Sequence, residues 1–176
     1  MMHRRPGMSL RMTWPLLTAL LMLAGCASTP QLPGTTFVVV RHAEKGNDDP
    51  KDPALSAIGQ ARAEALAAQL RGTPLTAAYA TDFRRTQQTA APAARMHRID
   101  VQTYDAKLPA PEFASQLRRA HTSGVVLVVG HSNTVPGIVA ALCACEVAAI
   151  DEGTYGDRYD VRIALDGSTT LVRGTY

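Results

Sequence analysis

Cysteine is scarce in this chain, three among 176 residues, and that scarcity removes a cysteine-rich metal site or a multi-disulfide framework from consideration. Cys143 and Cys145 stand in Leu142-Cys143-Ala144-Cys145-Glu146, and two thiols with one nearby carboxylate fall short of a metal-ligand set. Neighbours at this spacing reach disulfide geometry only where the backbone turns sharply, so buried or partly buried thiols are the expectation, with a local disulfide the lesser alternative. No apolar run is long enough for a membrane-spanning helix. Leu16 to Leu23 is a short one, preceded by Arg4, Arg5 and Arg11, and it suits the apolar region of a secretory leader. A surplus of charge is also missing. The whole chain carries +3, but setting aside residues 1–25 removes three arginines and no acids, leaving 15 basic residues against 15 acidic ones. That balance gives no case for a nucleic-acid-binding surface, and any positive potential belongs to a local pocket. Internal repeats and long low-complexity segments are absent.

The leader ends in Leu23-Ala24-Gly25-Cys26, which looks like a bacterial lipobox, with cleavage before Cys26 and diacylglycerol on its thiol. The expected organisation is a lipoprotein signal peptide over residues 1–25, an acylated tether over 26–35 and one domain over 36–176. The residues after Arg4-Arg5 do not support twin-arginine export, which leaves the general secretory route. The expected location is extracytoplasmic: a lipid-anchored membrane protein facing the periplasm, whose membrane partner is reached through that anchor. The remaining 151 residues suffice for one domain with a core and hardly for two.

Thr36 to Val40 reads as a buried strand, followed by a charged loop over 41–53. A helix is expected from about 56 to 71, with Ser56 as N-cap and Leu66 and Leu70 on one face. Its many alanines read as helix propensity rather than a packing device. Leu75 to Ala80 suits a strand, 83–96 a helix and Ile99 to Tyr104 a strand. Pro109 and Pro111 open a helix to about 120, and a strand over 125–129 precedes a helix begun by Pro136. Arg158 to Leu165 and Thr169 to Arg173 read as a hairpin around Asp166-Gly167-Ser168. The fold class is therefore α/β: a single three-layer α/β/α domain, its mainly parallel sheet covered by helices on both faces, with an antiparallel C-terminal edge hairpin.

Chemistry gathers at two strand ends. Arg41-His42-Ala43-Glu44 directly follows the first strand, and Gly130-His131-Ser132-Asn133 follows Val125 to Val129. Between them Thr81-Asp82-Phe83-Arg84-Arg85-Thr86-Gln87-Gln88-Thr89-Ala90 reads as a turn entering a helix. A helix N-terminus favours anions, and arginine offers a planar fork matched to phosphate oxygens. Neutral histidine already has a free lone pair, so it needs no strong base to act as a nucleophile. The inventory suits phosphoryl transfer.

Taken together these segments resemble the histidine phosphatase superfamily, also called phosphoglycerate-mutase-like, in its small cap-less branch. The family's Ser-x-Leu-x-Arg-Ala-x-x-Thr-Ala stretch is matched by Thr81, Phe83, Arg85, Thr86, Thr89 and Ala90. Ala54 to Arg62 is similar to its Leu-Thr-x-x-Gly-x-x-Gln-Ala helix entry. The resemblance implies that His42 is the nucleophile and that Arg41, Arg85 and His131 hold the phosphate, neutralising its oxygens through in-line attack. A phosphohistidine would form and then be hydrolysed by water. Neither cofactor nor metal is implied, because arginines supply the positive charge.

Ser132 stands where the phytase-like branch carries an aspartate, which disfavours that branch. The mutase-like branch places a carboxylate some way after the second arginine, where Asp105 and Glu112 fall; Asp105, at a strand end, is the candidate acid. Glu44 reads as a partner orienting Arg41 or His42. A chain without room for a cap domain implies an open pocket. The expected substrate partner is a phosphorylated small molecule, glycolipid or protein outside the cytoplasm, while oligomeric state is not readable. The alternative is a catalytically silent phosphate-binding envelope lipoprotein.

Overall fold

The computed structural model describes residues 1–3 and 34–176. All but the first three residues of the signal peptide read over 1–25, the lipidation residue Cys26 and nearly all of the tether lie outside the described residues. Ten elements follow in order: β1 Gly34–Arg41, α1 Ala57–Leu70, β2 Leu75–Ala80, α2 Arg84–His97, β3 Val101–Thr103, α3 Ala110–Ala120, β4 Gly124–Gly130, α4 Val135–Cys143, β5 Asp157–Ala164 and β6 Thr169–Thr175.

The strands form one six-stranded sheet in the order β3-β2-β4-β1-β5-β6. The first four run parallel, while β5 is antiparallel to β1 and β6 to β5. Alternation along the central strands builds a core on each face. Phe37, Val39, Val126 and Val128 point to one side, against Phe113 and Leu117 of α3 and Ile138, Val139 and Leu142 of α4. Val38, Val40, Leu127 and Val129 point to the other, against Leu66 and Leu70 of α1 and Ala90, Ala93 and Ala94 of α2. Because both faces are covered, β1 and β4 carry continuous apolar runs, Phe37 to Val40 and Val125 to Val129, and each such buried aliphatic side chain contributes about 1.5–3 kcal/mol. The sheet is therefore mixed and three-layered, with the antiparallel pair at the C-terminal end of the chain.

Local signals explain the boundaries. The Ser56 hydroxyl accepts the Gly59 N–H at 3.1 Å and caps α1. In that helix Ala63 and Ala67 are buried while Ala57, Ala61, Ala65 and Ala68 face solvent, so most of its alanines do serve propensity. β3 is shorter than expected, because as an edge strand it pairs only with Ala78 to Ala80. The thiol expectation is corrected: Cys143 and Cys145 are joined in a disulfide, with Cα atoms 5.2 Å apart. The sharp turn this requires is supplied by Ala144, which ends α4 in the left-handed region at φ 53°. Among the described residues no helix is long and apolar enough to cross a membrane.

Candidate active site

Strand register brings the two histidines together. In the parallel pair β1 and β4, Arg41 lies opposite Gly130, so the next residue of each strand, His42 and His131, leaves the sheet at the same level. The His42 N–H donates to the Gly130 carbonyl at 2.9 Å, and the rings meet edge to face with centroids 5.4 Å apart. On the other side of β4, Ala80 of β2 pairs with Val129, which delivers Thr81 to Arg85 beside His131. Gly130 is required here, since a Cβ would stand 2.8 Å from Thr134 Oγ1 and 2.9 Å from the Tyr104 hydroxyl.

Two hydrogen bonds define the state of His42. Its Nδ1 lies 2.8 Å from the Ala43 carbonyl, which can only accept, so Nδ1 carries the proton. Arg85 Nε donates to Nε2 at 3.3 Å, so Nε2 presents its lone pair. Burial, opposed by the Ala43 hydrogen bond and reinforced by His131, Arg85 and Arg41, pushes the imidazole down to about 3. Thr89 fixes the segment, accepting the Ala43 N–H at 3.0 Å and donating to the Arg85 carbonyl at 2.7 Å.

His131 Nε2 lies 3.0 Å from Thr81 Oγ1, which is itself 2.8 Å from Thr86 Oγ1. Burial, followed by the charges of Arg85 and Arg41, lowers its imidazole to about 4. The positive charge assigned to His131 from the sequence is thus absent at neutral pH before an anion binds. Phe83 meets the His131 ring edge-on at 5.1 Å and lies under the Arg85 guanidinium at 4.3 Å.

Arg41 is 1 % exposed and is wrapped by the segment 151–155. Its Nη1 donates to the carbonyls of Asp151 at 2.9 Å and Thr154 at 2.7 Å, its Nη2 reaches Glu152 Oε2 at 3.2 Å, and the Tyr155 ring stacks on the guanidinium at 4.2 Å. Arg41 Nε and Arg85 Nη1 are buried without a hydrogen-bond partner among the described residues, although Asp52 stands 3.7 Å from the latter. Buried guanidinium donors are costly to leave unpaired. An oxyanion held between the two arginines would satisfy both.

A cavity of about 440 Å³ opens over this cluster, lined by His42, Arg85 and His131 and, at its rim, by Lys45, Lys107 and Glu152. Arg41 sits buried beside these residues rather than on the lining. Three carboxylates expected near the site lie elsewhere. Asp105 is exposed and its Oδ1 accepts the Lys107 N–H at 2.8 Å, capping its own turn outside the cavity lining. Glu112 is exposed in the first turn of α3. Glu44 contacts neither Arg41 nor His42 through a hydrogen bond; it forms a forked pair with Arg62, at 2.9 and 2.8 Å to Nε and 2.6 Å to Nη2. Arg62 Nη1 in turn donates to the Tyr176 carbonyl at 2.8 Å, so this group locks the loop after β1 to α1 and the chain end. Glu152 and Tyr155 escaped the sequence reading because Asp151-Glu152-Gly153 carries only a turn signal. Among the described residues no group of three or more metal-ligating side chains occurs.

The sequence pattern of the histidine phosphatase superfamily (branch 1) matches residues 37–107, the stretch that carries His42, Arg85 and Thr89. Over that stretch the chain is similar to the histidine phosphatase superfamily. Solved structures extend the likeness over the whole described fold. The protein histidine phosphatase SixA, solved with tungstate, superposes with a TM-score of 0.64 at 19 % identity, covering 80 % of this chain and 96 % of its own. A phosphoserine phosphatase of Entamoeba histolytica, solved with 3-phosphoglyceric acid, gives 0.59 at 14 % identity over 81 % and 98 %. A mycobacterial glucosyl-3-phosphoglycerate phosphatase gives 0.57 at 13 % identity over 81 % and 98 %. At these identities the likeness speaks for the fold. No curated protein sequence matches the chain.

Proposed function

We propose that this chain is a histidine phosphatase that hydrolyses phosphomonoesters without a metal ion, through a phosphohistidine on His42, acting on an extracytoplasmic substrate. The observation that carries the reading is the state of His42 Nε2: a neutral lone pair, fixed by the Ala43 carbonyl behind it and Arg85 in front, at the wall of a cavity. Arg41 and Arg85 each keep a buried donor for phosphate oxygens, and their charges lower the barrier as the bridging P–O bond breaks. His131, neutral at rest, stands beside the bound phosphate as a hydrogen-bonding ligand, and the phosphate's negative charge opposes the effect of the arginines on its imidazole. Attack by Nε2 expels the alcohol, and water then displaces phosphate from His42.

The extracytoplasmic assignment rests on the lipobox-like Leu23-Ala24-Gly25-Cys26. A phosphorylated glycolipid, sugar or protein fits a chain without a cap domain, and the likeness to a protein histidine phosphatase supports a protein-borne phosphate. The test is phosphate release from p-nitrophenyl phosphate by the full chain in detergent with chelator present, beside His42→Ala. Turnover lost in that variant is expected, together with an acid-labile phosphoenzyme in the parent. Vanadate binding without turnover would replace this reading with the phosphate-binding lipoprotein.

A further inference from the structure

The reaction needs a proton for the leaving oxygen and a site to receive one from water, and Asp105 is not placed to serve. Among the described residues lining the cavity, Glu152 carries the one carboxylate. It arrives from the segment between α4 and β5, and its two oxygens have different partners. Oε2 lies 3.2 Å from Arg41 Nη2, while Oε1 accepts from the hydroxyl of Ser132, the residue directly after His131. The side chain is 77 % exposed, so the carboxylate stands at the open wall rather than inside the protein. The charged and titratable groups that act on it are Arg41 of β1, Lys45 of the following loop and His42. With the Ser132 hydroxyl as the largest influence and Arg41 next, they hold the Glu152 carboxyl below its ordinary range. In the unliganded site it is a carboxylate.

Resting on the phosphatase reading above, we infer that Glu152 is the acid–base residue of this site, protonating the leaving oxygen in the first step and deprotonating water in the second. The geometry supplies a trigger. A phosphate drawn to the free Nε of Arg41 and to Arg85 competes for the guanidinium that Glu152 now holds, and sets negative charge beside the carboxylate. Both effects favour the protonated carboxyl. Binding therefore loads the proton where it is needed. As Nε2 of His42 bonds to phosphorus and the ester P–O bond breaks, the Glu152 proton passes to the departing oxygen, giving a neutral alcohol, phosphohistidine and a carboxylate. In the second step that carboxylate takes a proton from water while the water oxygen bonds to phosphorus and the N–P bond breaks, restoring neutral His42, protonated Glu152 and phosphate.

A purely positioning role, through Arg41, would slow every substrate alike. Acid catalysis instead matters most where the leaving group is poor. The test is kcat/KM of the full chain in detergent over a series of aryl phosphates, from p-nitrophenyl to unsubstituted phenyl phosphate, for the parent and Glu152→Gln. The expected loss is on the order of 100-fold for phenyl phosphate and under about fivefold for p-nitrophenyl phosphate, a steeper dependence on the leaving group. Equal losses across the series in a parent that turns over would overturn this inference alone. A parent inactive on the whole series would overturn the phosphatase reading beneath it. Glu152→Ala with added acetate decides the matter if the glutamine variant does not fold: restored turnover of phenyl phosphate is expected, and no restoration counts against the proposal.

Discussion

The Nε–H of Arg85 points at Nε2 of His42 across 3.3 Å, so one guanidinium edge guards the atom that must bond to phosphorus while Nη1 beside it has no hydrogen bond among the described residues. Arg85 therefore has two tasks, orienting the imidazole and receiving a phosphate oxygen. Arg85→Ala should lower kcat/KM for p-nitrophenyl phosphate by about 10²–10³-fold, the usual loss for one preorganised donor. Arg85→Lys should recover little of that, because an ammonium is a single point charge and cannot reach both partners from a planar fork. Steady-state kinetics of the two variants check this. A lysine variant at the parent's level would mean that charge alone suffices.

Burial of two neutral imidazoles links stability to pH. The folded values of about 3 for His42 and about 4 for His131 lie below the ordinary 6.5, so between these limits the unfolded chain binds more protons than the folded one. Stability must then rise with pH across that window; the contribution is complete above about 6.5 and is lost as pH falls toward the folded values. Between about pH 7.5 and about pH 5 each histidine should cost about 2 kcal/mol of unfolding free energy. Urea unfolding midpoints at the two pH values measure it. In His131→Asn the drop should shrink by about half, and an unchanged drop would place its origin elsewhere.

Much of this arrangement was legible from residues 36–40 and 125–129, two short valine-rich runs that read as strands covered on both faces, each followed within two residues by a histidine. The period-two pattern from Arg158 to Leu165 likewise announced the hairpin. The carboxylates were not legible, and the reason is physical. Asp105 follows a strand, but its side chain turns back onto the Lys107 N–H, a local choice that strand position does not reveal. Glu44 found Arg62 on the next helix because the close packing of α1 on the loop brings a forked donor within 2.6 Å. Glu152 lies in a turn without periodicity, and its role depends on 110 residues of chain bringing that turn back to Arg41. The disulfide was hidden because it needs alanine, at Ala144, in a left-handed conformation that L-residues with a Cβ rarely adopt.

That disulfide closes a very small loop, which limits its thermodynamic worth. Chain entropy for three residues amounts to about 1.5 kcal/mol, and the bond lies at the C-terminal end of α4, away from His131 at the helix entrance. Cys143→Ser with Cys145→Ser should therefore lower the unfolding free energy by about 1.5 kcal/mol or less and leave kcat within about twofold. Thiol titration of the unfolded, unreduced chain should find neither cysteine free. Two titratable thiols there would contradict the bond.

Gly59 tests how tightly α1 must approach the loop that holds His42. A Cβ at this position would stand 2.2 Å from the Glu44 carbonyl oxygen and 3.0 Å from the Glu44 nitrogen, and backbone atoms cannot rotate away as a side chain can. Alanine in a helix normally stabilises by about 1 kcal/mol over glycine, so propensity and packing predict opposite signs here. Packing should win: Gly59→Ala is expected to destabilise by about 2–3 kcal/mol. Because the displaced segment joins Ala43 to the Ser56 cap through the 2.9 Å bond from Ser56 N–H to the Glu44 carbonyl, turnover should fall as well. Gly72→Ala, with nothing within 4 Å of its added methyl, should change stability by under about 0.5 kcal/mol. Thermal melts with p-nitrophenyl phosphate assays on both variants make the comparison, and a stabilised, fully active Gly59→Ala would show that the loop after β1 yields without consequence for His42.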